Sequence, residues 1–272
     1  MTQAIRAPLS AQVAGIGVLG PGLADWAQAR AVLRDEQAYA AQPCVLPVPQ
    51  ILPPAERRRA TAVIKLTLAS GLEAVAAAGL KAAELATVFT SSGGDGRNCH
   101  EICAALASSD RLISPTRFHN SVHNAASGYW GIATGAMAPS AVLCAFDASF
   151  AAGLLDAMVQ AAATSAPVLL LAYDTDYPEP LRQVRPIPDN FAVALALSPT
   201  AGGLARLAID PAALFTAEPA TCMDDAALEA LRLAIPAARA LPLLRALALG
   251  TPGRLVLDHL PGEQLALELS PC

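Results

Sequence analysis

At 272 residues the chain is long enough to bury a substantial core, as one large domain or two small ones. Hydrophobic residues make up 54% and charged residues 15%, yet the best candidate for a membrane span, residues 60–80, is broken by Lys65 and Glu73. A net charge of −5 without a basic stripe argues against a nucleic-acid partner, so the apolar excess points to a dense α/β core and a surface covered by a partner, although much of it is Ala.

Residues 11–19 read as a short buried strand ending in the turn Gly20-Pro21-Gly22. Asp25 supplies an N-cap for a helix through Leu33. Five prolines within 42–54 impose an extended loop. The pattern then predicts one long amphipathic helix over 54–78, stopped by Gly79, with the basic cluster Arg57-Arg58-Arg59 at its start. Residues 85–91 form a β-rich apolar run, hence a buried strand. The turn Ser92-Gly-Gly-Asp-Gly follows, then a helix over 98–107.

Beyond a loop at 108–115, a helix is expected over 120–134, containing Ala125, Ala126, Ser127, Gly128 and Gly131. Interior glycine costs up to about 1 kcal/mol, so the pair predicts close backbone approach by a neighbour. Residues 141–146 read as a strand, 147–164 as a helix and 167–173 as a fully apolar strand; this alternation indicates a layered α/β fold. After a loop over 173–180, residues 191–197 and 204–209 look like a hairpin-related pair across 199–203. Helices are expected over 224–233 and 237–249, the second broken near Pro242, and short strands over 253–257 and 264–269.

The six cysteines (44, 99, 103, 144, 222 and 272) lack the paired spacing of a disulfide framework. The N-terminus has no apolar h-region of a signal peptide, so reduced thiols in the cytoplasm are the expectation. Cys99, His100 and Cys103 bring no second pair of metal ligands, and small side chains filling a helix face is the better reading. His119 and His123 lie four apart, on one face if helical, and read as polar lining of a pocket or interface rather than a zinc pair. Gly93-Gly-Asp-Gly96 lacks a Walker lysine and dinucleotide spacing, and Asp147-Ala-Ser149-Phe is not a nucleophile elbow of the Gly-x-Ser-x-Gly kind. Neither a metal nor a cofactor is expected.

Several phrases taken together carry more information. They are the Gly-Ile-Gly of the first strand, the strand ending in Ser91-Ser-Gly-Gly, the Ile113-Ser-Pro loop, the run Arg117-Phe-His-Asn-Ser-Val-His-Asn-Ala, Leu143-Cys-Ala-Phe-Asp-Ala-Ser-Phe and Tyr173-Asp-Thr-Asp-Tyr-Pro-Glu-Pro-Leu. From residue 11 to about 197 the chain resembles the N-terminal half of a β-ketoacyl synthase, a thiolase-like layered fold. More narrowly, it resembles the chain length factors of aryl polyene and related clusters. The resemblance divides the chain into an N-terminal-like domain, 1–200, and a reduced C-terminal portion, 201–272, packed on the same domain.

In that family a nucleophilic Cys opens the helix after the 141–146 strand, and here the position holds Asp147. A helix N-terminus lowers a thiol's pKa and equally stabilises a carboxylate, so an ordinary N-cap is the bland reading of Asp147. Carboxylate attack on a thioester would give a reactive anhydride. The two C-terminal histidines of a working synthase are not matched, because the only histidine after residue 123 is His259, in Asp258-His-Leu-Pro-Gly. The Gly-Phe-Gly-Gly run of the family is also missing.

The resemblance therefore implies a non-condensing subunit that pairs with a Cys-bearing β-ketoacyl synthase acting on malonyl units of an acyl carrier protein. Ala141, Val142, Leu143, Cys144, Ala145 and Phe146 are expected to pair across the dimer interface. Cys99, Ile102, Cys103, Arg117, Phe118, His119, Val122, His123 and Ala126 are expected to line the acyl tunnel or interface, the first three by helical spacing. Arg57–Arg59 read as a solvated helix face, with docking of the acidic carrier as the functional alternative. The rival classes are a free-standing decarboxylase or hydrolase of malonyl or acyl thioesters using Asp147, and a homodimeric acyl-binding scaffold.

Overall fold

The computed structural model describes residues 8–200 and 202–272. The leader expectation therefore concerns a stretch that lies partly outside the described residues, as does residue 201 beside the expected domain boundary. The chain opens with β1 (Leu9–Leu19), α1 (Trp26–Leu33), α2 (Pro54–Arg59), α3 (Ala62–Ala77) and β2 (Ala86–Thr90). It continues through α4 (Gly96–Ala107), α5 (Pro115–His119), α6 (Ala125–Thr134), β3 (Ser140–Leu143), α7 (Ser149–Thr164) and β4 (Val168–Asp174). Next come α8 (Leu181–Val184), β5 (Phe191–Ser198), β6 (Ala205–Ile209) and β7 (Phe215–Thr216), then α9 (Ala226–Ala234), α10 (Leu241–Leu249), β8 (Gly253–Leu260) and β9 (Glu263–Pro271).

The strands form one sheet in the order β3-β2-β4-β5-β1-β6-β9-β7, with β8 paired to β9. β3, β2 and β4 run parallel to one another, while β5 and β1 continue antiparallel. β4 is buried along its whole length because both faces are covered. Val168, Leu170 and Ala172 face a core shared with α7, α10 and the C-terminal strands. Leu169, Leu171 and Tyr173 face a second core shared with α3 and α6. The period of two along the strand thus feeds two helical layers.

Helix α3 lies close on β1 because Gly15 and Gly17 carry no side chain; a Cβ on Gly17 would sit 1.9 Å from the Ser70 carbonyl oxygen. Glu73, which interrupts the apolar run, accepts backbone N–H groups from Val18 at 2.9 Å and Trp26 at 2.6 Å, tying α3 to the end of β1 and the start of α1.

The structure corrects five expectations. The helix expected over 54–78 is two, α2 and α3, parted at Ala60 and Thr61, so the three arginines close α2 rather than open a long helix. Arg57 donates to the carbonyls of Gln50 and Leu52, and Arg59 pairs with Glu56. The helix expected over 120–134 starts only at Ala125; Asn120 instead donates to the Arg59 carbonyl, anchoring the turn that follows α5. Gly128 has nothing within 4 Å of an added Cβ, and Gly131 only the Ala136 carbonyl at 3.5 Å, so no neighbour among the described residues accounts for them. β5 and β6 do not pair with each other, because β1 lies between them and bonds to both. The strand expected over 141–146 stops at Leu143, and Cys144, Ala145 and Phe146 lie in the turn behind it.

Candidate functional site

β3 bonds to β2 on one side, and among the described residues no strand meets its other edge. Ala141, Val142 and Leu143 on it are half-buried, while Cys144 and Phe146 are exposed. In the stretch 106–137, which precedes β3 in the chain, six large apolar side chains are exposed: Leu106, Leu112, Phe118, Val122, Ile132 and Met137. Met137 is 94% exposed and Phe118 67%. Large exposed apolar side chains concentrated in one segment of the chain are what a partner-covered surface would require.

α4 and α5 form an arm. Only Gly96 and Asn98 of α4 are buried, and Asn98 donates to the Arg117 carbonyl at 2.9 Å while Arg117 pairs with Glu101 at 3.5 Å. Asp95 caps α4 by accepting from the Asn98 N–H. Cys99 and Cys103 are exposed on the arm and Ile102 is half-buried. Burial and the neighbouring Cys103 raise the pKa of the Cys99 thiol. His119 ends α5 and packs its ring edge against Tyr129, whereas His123 sits in the following turn beside Gly94, where burial lowers its pKa. The two histidines therefore do not share a helix face. Ala126 is 1% exposed, packed in the α3–α6 core rather than open on the surface with Phe118 and Val122. A separate cavity of about 530 Å³ lies under the proline-rich loop, lined by Leu19, Leu23, Val45, Pro47, Ala69 and Glu73; none of the residues expected to face a tunnel lines it.

Asp147 lies in the short 3-10 turn Phe146–Ala148 before α7. It is not the N-cap: Ala148 holds that position without a side-chain bond, and Ser149 closes the turn by accepting from the Ala145 N–H and donating to the Phe146 carbonyl. The Asp147 carboxylate instead accepts from Arg185 at 2.6 Å and from Arg239 at 3.3 Å. Arg239 also pairs with Asp258 at 3.2 Å, and Asp258 in turn binds Arg232, which grips Glu229. A chain of alternating charges thus runs from the head of α7 to α9 and β8. Arg185 caps the Phe146 ring at 3.7 Å from its centroid. His259 takes no part; its ring stacks on Phe215 of β7.

Sequence reasoning missed Arg185, Arg239 and Arg232, which stand in segments without a motif. It also missed Asp174, the one charge closing the apolar β4. Asp174 is 2% exposed and accepts from the Ser91 and Ser92 hydroxyls and the N–H groups of Ser92 and Ala237. Burial pushes its pKa up to about 6 against the pull of those donors. It fastens the turn after β2 to the segment 236–240 that carries Arg239. Among the described residues, no group of three or more His, Cys, Asp or Glu comes together as a metal site, and no helix is long and apolar enough to cross a membrane.

A mixed sheet with a parallel β3-β2-β4 core, covered by helices on both faces and with a short turn at the head of α7, is a thiolase-like fold. Residues 24–242 match the family described as beta-ketoacyl synthase, N-terminal domain, and the chain belongs to that family. No curated protein matches the sequence significantly. Among solved structures, the chain is similar to one from the ketosynthase ApeO in complex with its chain length factor ApeC from Xenorhabdus doucetiae. That match has a TM-score of 0.71 and 23% identity, and covers 95% of this chain and 99% of the other. It is also similar to a chain of the ishigamide ketosynthase/chain length factor, with a TM-score of 0.70, 12% identity and coverage of 96% and 99%. A third is AntDE:AntF, a type II polyketide synthase acyl-carrier protein in complex with its ketosynthase bound to the hexaketide, with a TM-score of 0.73, 12% identity and coverage of 97% and 99%.

Proposed function

We propose that this chain is a non-condensing chain length factor that pairs with a Cys-bearing β-ketoacyl synthase in the cytoplasm. It shapes the acyl tunnel and limits how far a polyene chain of the aryl polyene type grows. The observation that carries this reading is the chemistry of Asp147, to which the resemblance assigns the nucleophile position: its carboxylate is held by two arginines. A carboxylate paired in this way is a poor nucleophile, and no imidazole attends it. The free edge of β3 and the apolar residues of the α4–α5 arm support the heterodimer. So do two similar structures, each of a ketosynthase with a chain length factor.

In this reading the partner carries out decarboxylative Claisen condensation of malonyl units on an acyl carrier protein. The present chain contributes the far wall of the tunnel through Ile102, Phe118 and their neighbours on the arm. The test is to purify the pair with Phe118→Ala or Ile102→Ala and measure product length by mass spectrometry. A smaller side chain at the stop should yield products longer by one or more two-carbon units. Unchanged lengths in both variants would contradict the gate role.

A further inference from the structure

Phe146 is held at a double cost to the free chain. The residue is 59% exposed, and its backbone takes the left-handed conformation (φ 51°) that a bulky residue adopts only under constraint. The constraint is visible. Arg185 lies over the ring, only 18% exposed itself, and Asp147 fixes the guanidinium at 2.6 Å. Arg239 and Asp258 brace Asp147 from behind. Arg185 covers one face of the ring, and the aromatic side chain is presented just beyond the open end of β3. Interface anchors are commonly of this kind: large, aromatic and fixed before the partner arrives.

We infer that Phe146 is the aromatic anchor that seats the synthase subunit. Asp147, at the vacated nucleophile position, serves as a positioning residue that holds Arg185 over that anchor. This rests on the heterodimer reading above. The occupant is the synthase subunit continuing the sheet beside β3, with an apolar recess to take the ring. Phe146 stands three residues after the last β3 residue, beside the edge that such a neighbour would extend.

The test is Phe146→Gly in the full chain, co-expressed with the Cys-bearing β-ketoacyl synthase encoded nearest to its gene. Glycine accepts the left-handed backbone without strain, so the turn keeps its path while the anchor is lost. The dissociation constant of the complex, read by dilution and mass photometry, should rise at least tenfold. Protection of the β4 amides from hydrogen exchange in the same sample should be unchanged. A smaller rise, or a loss of β4 protection in step with affinity, overturns the anchor role while leaving the heterodimer standing. Wild-type chain that forms no complex overturns the heterodimer reading and this inference with it.

Discussion

Asp147→Ala should destabilise the folded chain by about 2–3 kcal/mol, lowering its thermal midpoint by roughly 5–10 °C. Removing one partner of a buried ion pair costs about 3–5 kcal/mol, and the lower figure applies because the Asp147 side chain is 36% exposed and partly screened. Arg185 would be left 18% exposed without its carboxylate, whereas Arg239 would keep Asp258. Asp147→Asn separates this account from simple helix capping. Asparagine caps a helix about as well as aspartate, so a capping role predicts little loss. The ion-pair role predicts that Asn fails nearly as badly as Ala. Denaturant titration of the three proteins distinguishes the two, and a stable Asp147→Asn protein would refute the ladder.

Gly17→Ala should cost about 3 kcal/mol or more, because the added carbon would meet backbone rather than a movable side chain. It would lie 1.9 Å from the Ser70 oxygen and 2.9 Å from the Ser70 carbonyl carbon, so α3 as a whole must withdraw from β1. That withdrawal would also loosen Glu73 from the N–H groups of Val18 and Trp26. Gly128→Ala is the control: its new carbon meets nothing, and alanine in a helix interior should stabilise the chain by roughly 0.5–1 kcal/mol. Opposite signs in urea unfolding are expected. A near-neutral Gly17→Ala would show that α3 does not lie as close on the sheet as described.

The parts of this architecture legible in the sequence were those written in short local patterns. The apolar run of β4, the strand β2 with its glycine turn and the Asp25 cap all appear where residue type predicts them. Two breaks were invisible because neither contains a strong local stop. The gap between α2 and α3 holds only Ala60 and Thr61, and the late start of α6 depends on an Asn120 bond to a carbonyl 61 residues away. β5 and β6 read as partners because they are adjacent in sequence, but a third strand from the N-terminus separates them, and such pairing leaves no local trace.

The same limit governed the site. The motif around residue 147 drew attention to Asp147, but not to what holds it. Its two arginines lie 38 and 92 residues further along, in segments with no recognisable phrase. Helical spacing placed Cys99, Ile102 and Cys103 together, and all three lie on α4. The four-residue spacing of His119 and His123 suggested a shared face only if helical, and the turn at 120–124 separates them.

The most direct test of the account supplies malonyl-loaded acyl carrier protein to the purified chain, alone and together with its co-expressed Cys-bearing synthase, and follows carbon–carbon bond formation and carbon dioxide release. The account predicts neither from the chain alone, and polyene product from a one-to-one complex. Condensation by the chain alone, or carbon dioxide release that vanishes in Asp147→Ala, would contradict it.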